Sequence, residues 1–434
     1  MPFILPSGSS NSGTSENFSF WRLPTQMELK MKKTHFLLPV LLSAAAAGFS
    51  MSMPNFSGNM GVLGDLTFTP NINADAYFAG QIDFSDKVIV RTDFSVQTTS
   101  IQNLLSSPTS VNAKFSIKEI SGTVTFGSNT LRHFISAFLG EFEPSGSDVF
   151  LQRQFGIKPL NPTLMTSWNG VNGTSAYPFY GLGASYAIHA GQNFAGAFYL
   201  SHSADLVAAT NSLDSNLRFA FVSHNLELDA TAGVCLAYNT SSSIFALDNV
   251  GFHASVTLLA GDRNLFSVFF QGGMGNLSGT SINNGTFTDS VYFFLEPRFV
   301  AWGWHFSAAA FSLPFSTIDR MTFLTYPSEL AGSSTANKSS VGFNLNAYTN
   351  HVKLGSTHAT GGAHLTLSIP GANIITVAEK IGAGTAVPQF TITPYFSLNI
   401  FGGTLSTALS LNVTELAKQG GGAIHLMLGL RSQL

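Results

Sequence analysis

The chain holds a single cysteine, Cys235, among its 434 residues. No intramolecular disulfide can form, which excludes a small disulfide-stapled secreted scaffold. Charge is scarce as well. Asp, Glu, Lys and Arg make up 10% of the residues, against about 25% in ordinary soluble domains. The formal net charge of −3 supplies no basic field for nucleic acid. Beyond residue 50 no apolar run reads as a spanning helix. The nearest, 299–315, is interrupted by His305 and several serines, and Trp302, Trp304, Phe306, Ala308 and Ala310 alternate within it as in a strand. Gly-rich phosphate loops of the required form are absent.

Phenylalanine (39) and glycine (41) are abundant, and the mean hydropathy is positive at +0.22. Near the start, Lys30, Lys32 and Lys33 precede an apolar stretch from Phe36 to Leu42 and then the small residues Ser43 to Ala47. A basic stretch, a short apolar core and a small-residue exit predict a secretory signal peptide at 31–50, cleaved near Ala46 to Ser50. Residues 1–30 read as a mis-assigned start with Met31 or Met27 as initiator, the alternative being a genuine N-terminal extension. Residues 51–434 are expected to form one domain.

Alternation is the dominant pattern. From Ile72 to Phe84, Ile72, Ala74, Ala76, Phe78, Gly80, Ile82 and Phe84 take the even positions and Asn73, Asp75, Gln81 and Asp83 lie between them. After the turn Ser85-Asp86-Lys87, Val88, Val90, Thr92, Phe94 and Val96 continue, with Arg91, Asp93, Ser95 and Gln97 opposite. Successive strand residues point to opposite faces, so each ribbon has one apolar and one polar side. The same pattern recurs in Leu226–Tyr238 and in the last stretch, Ile424 to Leu434. Turns of two to four residues alternate with long segments rich in Gly, Ser, Asn and Thr. An export signal, few charges and pervasive alternation predict an all-β, antiparallel transmembrane barrel. With spanning strands of about 9–11 residues, the count is about 16, within about 14–18.

On the alternation of Asn71–Thr98 and the closing strand, the chain from Met60 to Leu434 resembles Gram-negative outer-membrane β-barrel proteins of the porin and channel group. The resemblance implies residence in the cell outer membrane, contact with its lipid, recognition by the barrel-assembly machinery and, in many members, a homo-oligomer. Members commonly end in an aromatic residue, whereas this chain ends in Leu434.

The polar parity carries both signs: Asp75, Asp83, Arg91, Asp93, Glu119, Glu227, Asp229, Glu296 and Arg298. Charge facing lipid at the midplane costs up to about 2–4 kcal/mol for Arg or Lys, so this face is expected to line the lumen. Two readings stand: a water-filled lumen, or a plugged one in which the charges pair. Mixed sign predicts no strong ion selectivity, which needs rings of one sign.

One stretch, about 143–178, breaks the rhythm. Long structureless loops are usually functional or disordered, and its aromatic content argues against disorder. It is expected either to fold into the lumen and constrict it, with Gln152, Arg153 and Gln154 as the constriction residues, or to form an external lid. No catalytic site is expected. Ser201 and His202 are adjacent on a strand and therefore point apart, although a triad needs convergence. His351 and His358 have no neighbouring Cys or carboxylate to complete a metal site, and no cofactor is expected. Trp302, Trp304, Tyr180 and Tyr186 read as interfacial aromatics. The expectation is a channel for small polar solutes. Alternatives are a transporter of hydrophobic molecules such as long-chain fatty acids, and an adhesin acting through the long loops.

Overall fold

The computed structural model describes residues 54–67, 71–98, 113–128, 130–160, 180–205, 210–239, 250–314, 339–354, 357–400 and 402–434. The expectations for residues 1–50, and for 161–178 in the stretch that breaks the rhythm, lie outside them.

Eighteen strands form one sheet. They are β1 (Asn55–Thr67), β2 (Asn71–Ser85), β3 (Val88–Thr98), β4 (Ala113–Gly127), β5 (Leu131–Glu141) and β6 (Tyr180–Ala190). Next come β7 (Phe194–Asp205), β8 (Thr210–Val222), β9 (Leu226–Asn239), β10 (Val250–Gly261), β11 (Phe266–Ser278) and β12 (Val291–Ala301). The last are β13 (Trp304–Pro314), β14 (Ser339–Leu354), β15 (Thr357–Pro370), β16 (Gln389–Ile400), β17 (Gly403–Asn412) and β18 (Ile424–Gln433). Each strand pairs antiparallel with its sequence neighbours, and β1 closes the sheet on β18, from Asn59 opposite Gln433 to Thr67 opposite His425. Closure removes both sheet edges, so every strand has a backbone partner on each side. The count is two above the centre of the expected range.

Because the number of strands is even, the start of β1 and the end of β18 lie at one end of the barrel. All eight connections at that end are short, at 86–87, 128–130, 191–193, 223–225, 262–265, 302–303, 355–356 and 401–402. Trp302 and Gly303 both have positive φ (54° and 77°), as a two-residue I′ hairpin requires. The opposite end carries the long connections, some with short helices such as Val377–Gly382 and Val413–Gln419, beside two short ones at 68–70 and 206–209. Among the described residues no helix is long and apolar enough to cross a membrane.

The outer surface is apolar. Val62, Phe115, Leu217, Phe252, Phe343 and Leu345 all point outward with more than half of their surface uncovered. A water-soluble monomer rarely exposes contiguous apolar surface beyond a few hundred Å². Inner-face neighbours are polar and buried, among them Asp93, Ser95, Asp214, Asn216, Asp229 and Thr231. Two stretches depart from simple alternation. In β4 the apolar parity changes between Ile117 and Ile120, and a register shift there places Glu119 opposite Asp93 but Ile117 opposite Phe94. The bulge returns the strand to its faces. β14 and β15 pair as a long hairpin, with a register shift between Thr349 and Val352.

Candidate functional site: a segment inside the barrel and the cavity beside it

Residues 143–160 of the stretch that breaks the rhythm turn inward. Residues 141–151 are all buried, and Leu160 is fully covered. Leaving β5 at the long-loop end, the chain stacks Phe142 on Phe138, ring centroids 4.7 Å apart, beside Tyr199. Glu143 follows in a left-handed conformation (φ 48°). Three contacts hold that strained residue. Tyr199 donates its hydroxyl to Glu143 Oε2 at 2.5 Å, Arg218 Nη1 donates to its carbonyl at 2.6 Å, and Arg153 stands 3.6 Å from its carboxylate.

From there the backbone is irregular, and its carbonyls are met by side chains of the wall. Gln271 donates to Gly146, Arg218 Nη2 to Ser147 at 3.1 Å, and Arg263 to Lys158 at 3.1 Å and Pro159 at 3.3 Å. Arg298 Nη2 reaches the carbonyl of Leu160 at 3.1 Å. Ser145 and Ser255 share a hydroxyl contact of 2.5 Å. Non-helical backbone at membrane depth survives only where protein satisfies it. Ser255 and Gln271 lie midway along β10 and β11, whereas Arg263 sits in the turn between them at the short-turn end. The segment therefore runs down the lumen from one end of the barrel to the other.

Within it, Val149–Phe155 forms the helix α1, closed by Gly156 at φ 65° with its N–H on Gln152. Asp148 accepts from the Leu160 N–H at 2.5 Å, tying the two ends of the helical stretch together. Phe150, Leu151 and Leu160 pack on Leu259, Phe269, Tyr292, Phe294, Phe311 and Leu313, which point inward from β10–β13. Arg218 and Arg298 lie over the rings of Phe150 and Phe269 at 5.0 and 4.9 Å.

The expected lumen residues separate into groups. Asp229 is buried in a pair with Arg218 at 2.6 Å, and Glu227 pairs with Arg263 at 2.5 Å. Arg298 pairs with Glu296 at 2.6 Å, and Glu119 with Arg153 at 2.7 Å. Asp83 accepts from Gln81, which in turn accepts from Arg91, both at 2.8 Å. Asp75 stands opposite Leu63 on the inner face. Of the constriction trio, Gln152 and Arg153 border a cavity and Gln154 does not.

Sequence reasoning passed over Arg218, Tyr199, Arg263 and Gln271. For Arg218 a signal existed: Leu217, Phe219 and Phe221 face outward, so a lone arginine occupied the inner parity of an apolar strand. The inward-facing aromatic wall also left a trace, in apolar residues on both faces of β5 and in the doublets Phe269-Phe270 and Phe293-Phe294.

The segment fills only part of the lumen. Between α1 and the wall formed by β1–β4 and β16–β18 lies a cavity of about 1090 Å³ near the short-turn end. Arg91, Asp93 and Glu119 line one side, Arg153 the inner side, and Asn399, Arg431 and Gln433 the other. Ser201 faces inward and His202 outward, so the two do not converge. Trp302, Trp304 and Tyr180 are exposed near strand ends, whereas Tyr186 is exposed near the middle of β6, away from the interfacial position expected of it.

No protein-family model matches the chain, and no curated protein matches it. Among solved structures it is similar to a mutant of Rh. blastica porin at 8% identity and TM-score 0.42, over 88% of this chain and 100% of that one. It is also similar to Wzi, an outer membrane protein involved in group 1 capsule assembly in Escherichia coli and a carbohydrate binding β-barrel. There the identity is 11% and the TM-score 0.45, over 90% of this chain and 86% of that one. A closed antiparallel sheet of eighteen strands, greasy outside and polar inside, makes this chain a β-barrel of the outer-membrane type.

Proposed function

We propose that the protein is an outer-membrane channel for small polar solutes, narrowed by the segment Phe142–Leu160. The observation that carries this reading is the polar cavity left between α1 and the opposite wall, bordered by charged and amide side chains rather than packed shut. Water and solutes cross a barrel where its lumen stays polar and unfilled. The apolar groups inside the barrel do not favour a hydrophobic cargo, because the aromatic wall of β11–β13 is already covered by Phe150, Leu151 and Leu160.

Planar-bilayer recording of the refolded protein tests the reading. Discrete conductance steps are expected. Deleting Ser145–Asn169 removes most of the obstruction, and the unit conductance is expected to rise severalfold. A barrel that inserts but passes no current, with or without the segment, would refute the channel; unchanged conductance after the deletion would refute the narrowing.

A further inference from the structure

Charge on the inner wall has two signs in sequence, but in space it pairs unevenly. Glu119 and Glu143 share Arg153, Asp229 takes Arg218, Glu227 takes Arg263 and Glu296 takes Arg298. Two arginines on the cavity stand outside these pairs, Arg91 within the longer-range field of Arg153, Glu119, Glu143 and Asp83. Arg91 donates through Nε to the neutral Gln81 at 2.8 Å. Among the described residues neither Arg91 nor Arg431 has a carboxylate within ion-pair distance. Arg431 is exposed and Arg91 half-buried, whereas the two carboxylates of the same cavity, Asp93 and Glu119, are 5% and 2% exposed. The reachable charge is therefore cationic. Around it stand the amides of Asn59, Gln152, Asn399 and Gln433, and Gly58 and Ala79 leave the β1–β2 wall low. The lining holds no aromatic ring on which a sugar face could stack.

We propose that this cavity binds a small organic oxyanion, a solute whose carboxylate or phosphate group is held by Arg91 and Arg431 while the amides hydrogen-bond its polar body. Guanidinium groups present planar forks of N–H donors that match carboxylate and phosphate oxygens, and such charge-assisted bonds are about twice as strong as neutral ones. This deepens the channel reading and rests on it for access through the lumen. It also departs from the weak selectivity that the count of charges predicts, because burial and pairing silence most of the acids.

The experiment uses the full-length barrel, refolded, with citrate, glycerol phosphate and glycerol as probes. In planar bilayers under a KCl gradient the reversal potential is expected to favour chloride. Citrate, glycerol phosphate or both are expected to block the current, and the more effective one identifies the preferred group; glycerol does not block. The double variant Arg91→Gln, Arg431→Gln is expected to raise the half-blocking concentration by about tenfold or more, the loss of one to two charge-assisted bonds. Arg132→Gln, which removes an exposed arginine at the same end of the barrel, leaves the block in place. Calorimetric titration of the same probes into detergent-solubilised protein reads binding without conduction. A conducting channel that neither anion blocks, with no heat of binding, overturns the site and leaves the channel standing. Binding without conduction overturns the channel and leaves the site. Equal loss of block in Arg132→Gln and in the double variant also overturns the site, because the effect would then be one of general field. Should the double variant fail to fold, the unmodified protein's block and calorimetry still decide.

Discussion

Arg218 is the residue on which most of the interior converges. It holds Asp229, two carbonyls of the inward segment and the ring of Phe150. Removing one partner of a buried ion pair leaves an uncompensated charge, which costs about 3–5 kcal/mol. Arg218→Met is expected to lose that much stability in urea unfolding of the barrel in lipid vesicles, and Asp229→Leu added to it recovers part of the loss.

At the scale of elements, α1 depends on its surroundings. A helix of seven residues cannot hold itself together in water. It forms because Phe150, Leu151 and Leu160 fit the aromatic wall. Truncating a buried Phe to Ala typically costs about 3–5 kcal/mol. Phe150→Ala is expected to loosen the segment while the strand ladder stays intact, and trypsin cleavage at Lys158 becomes faster at unchanged barrel content by circular dichroism. The dependence on packing also explains what was legible. The break in alternation located the segment, but no local pattern distinguished a lumen segment from an external lid. That choice was made by contacts with Arg218, Gln271 and Arg263, which lie 71 to 125 residues away along the chain. The strands were far easier to read, since period-two alternation is a local property. It was obscured in β4 and β14 by a bulge that switches parity midway, and in β5, β11 and β12 by apolar residues on both faces.

For the whole molecule, the apolar exterior and the closed sheet set the environment. Leu345 lies near the middle of β14 and is 56% exposed toward the outside. If that surface meets hydrocarbon, Leu345→Arg costs about 2–4 kcal/mol at the bilayer midplane. The measurement is reversible folding into lipid vesicles; a change within about 0.5 kcal/mol, as on an ordinary soluble surface, would mean that Leu345 does not face lipid.

The order of hydrophobic and polar residues by itself determined that this protein is made of strands with one greasy and one wet face, joined by short turns and long loops in alternation. Those properties follow from side-chain direction along an extended backbone, which is settled between neighbours. Which inner charges pair, where the irregular segment lies and which arginines stay uncommitted were decided only once the barrel closed. Each depends on groups that chain order keeps far apart, and their energies arise when burial withdraws them from water together.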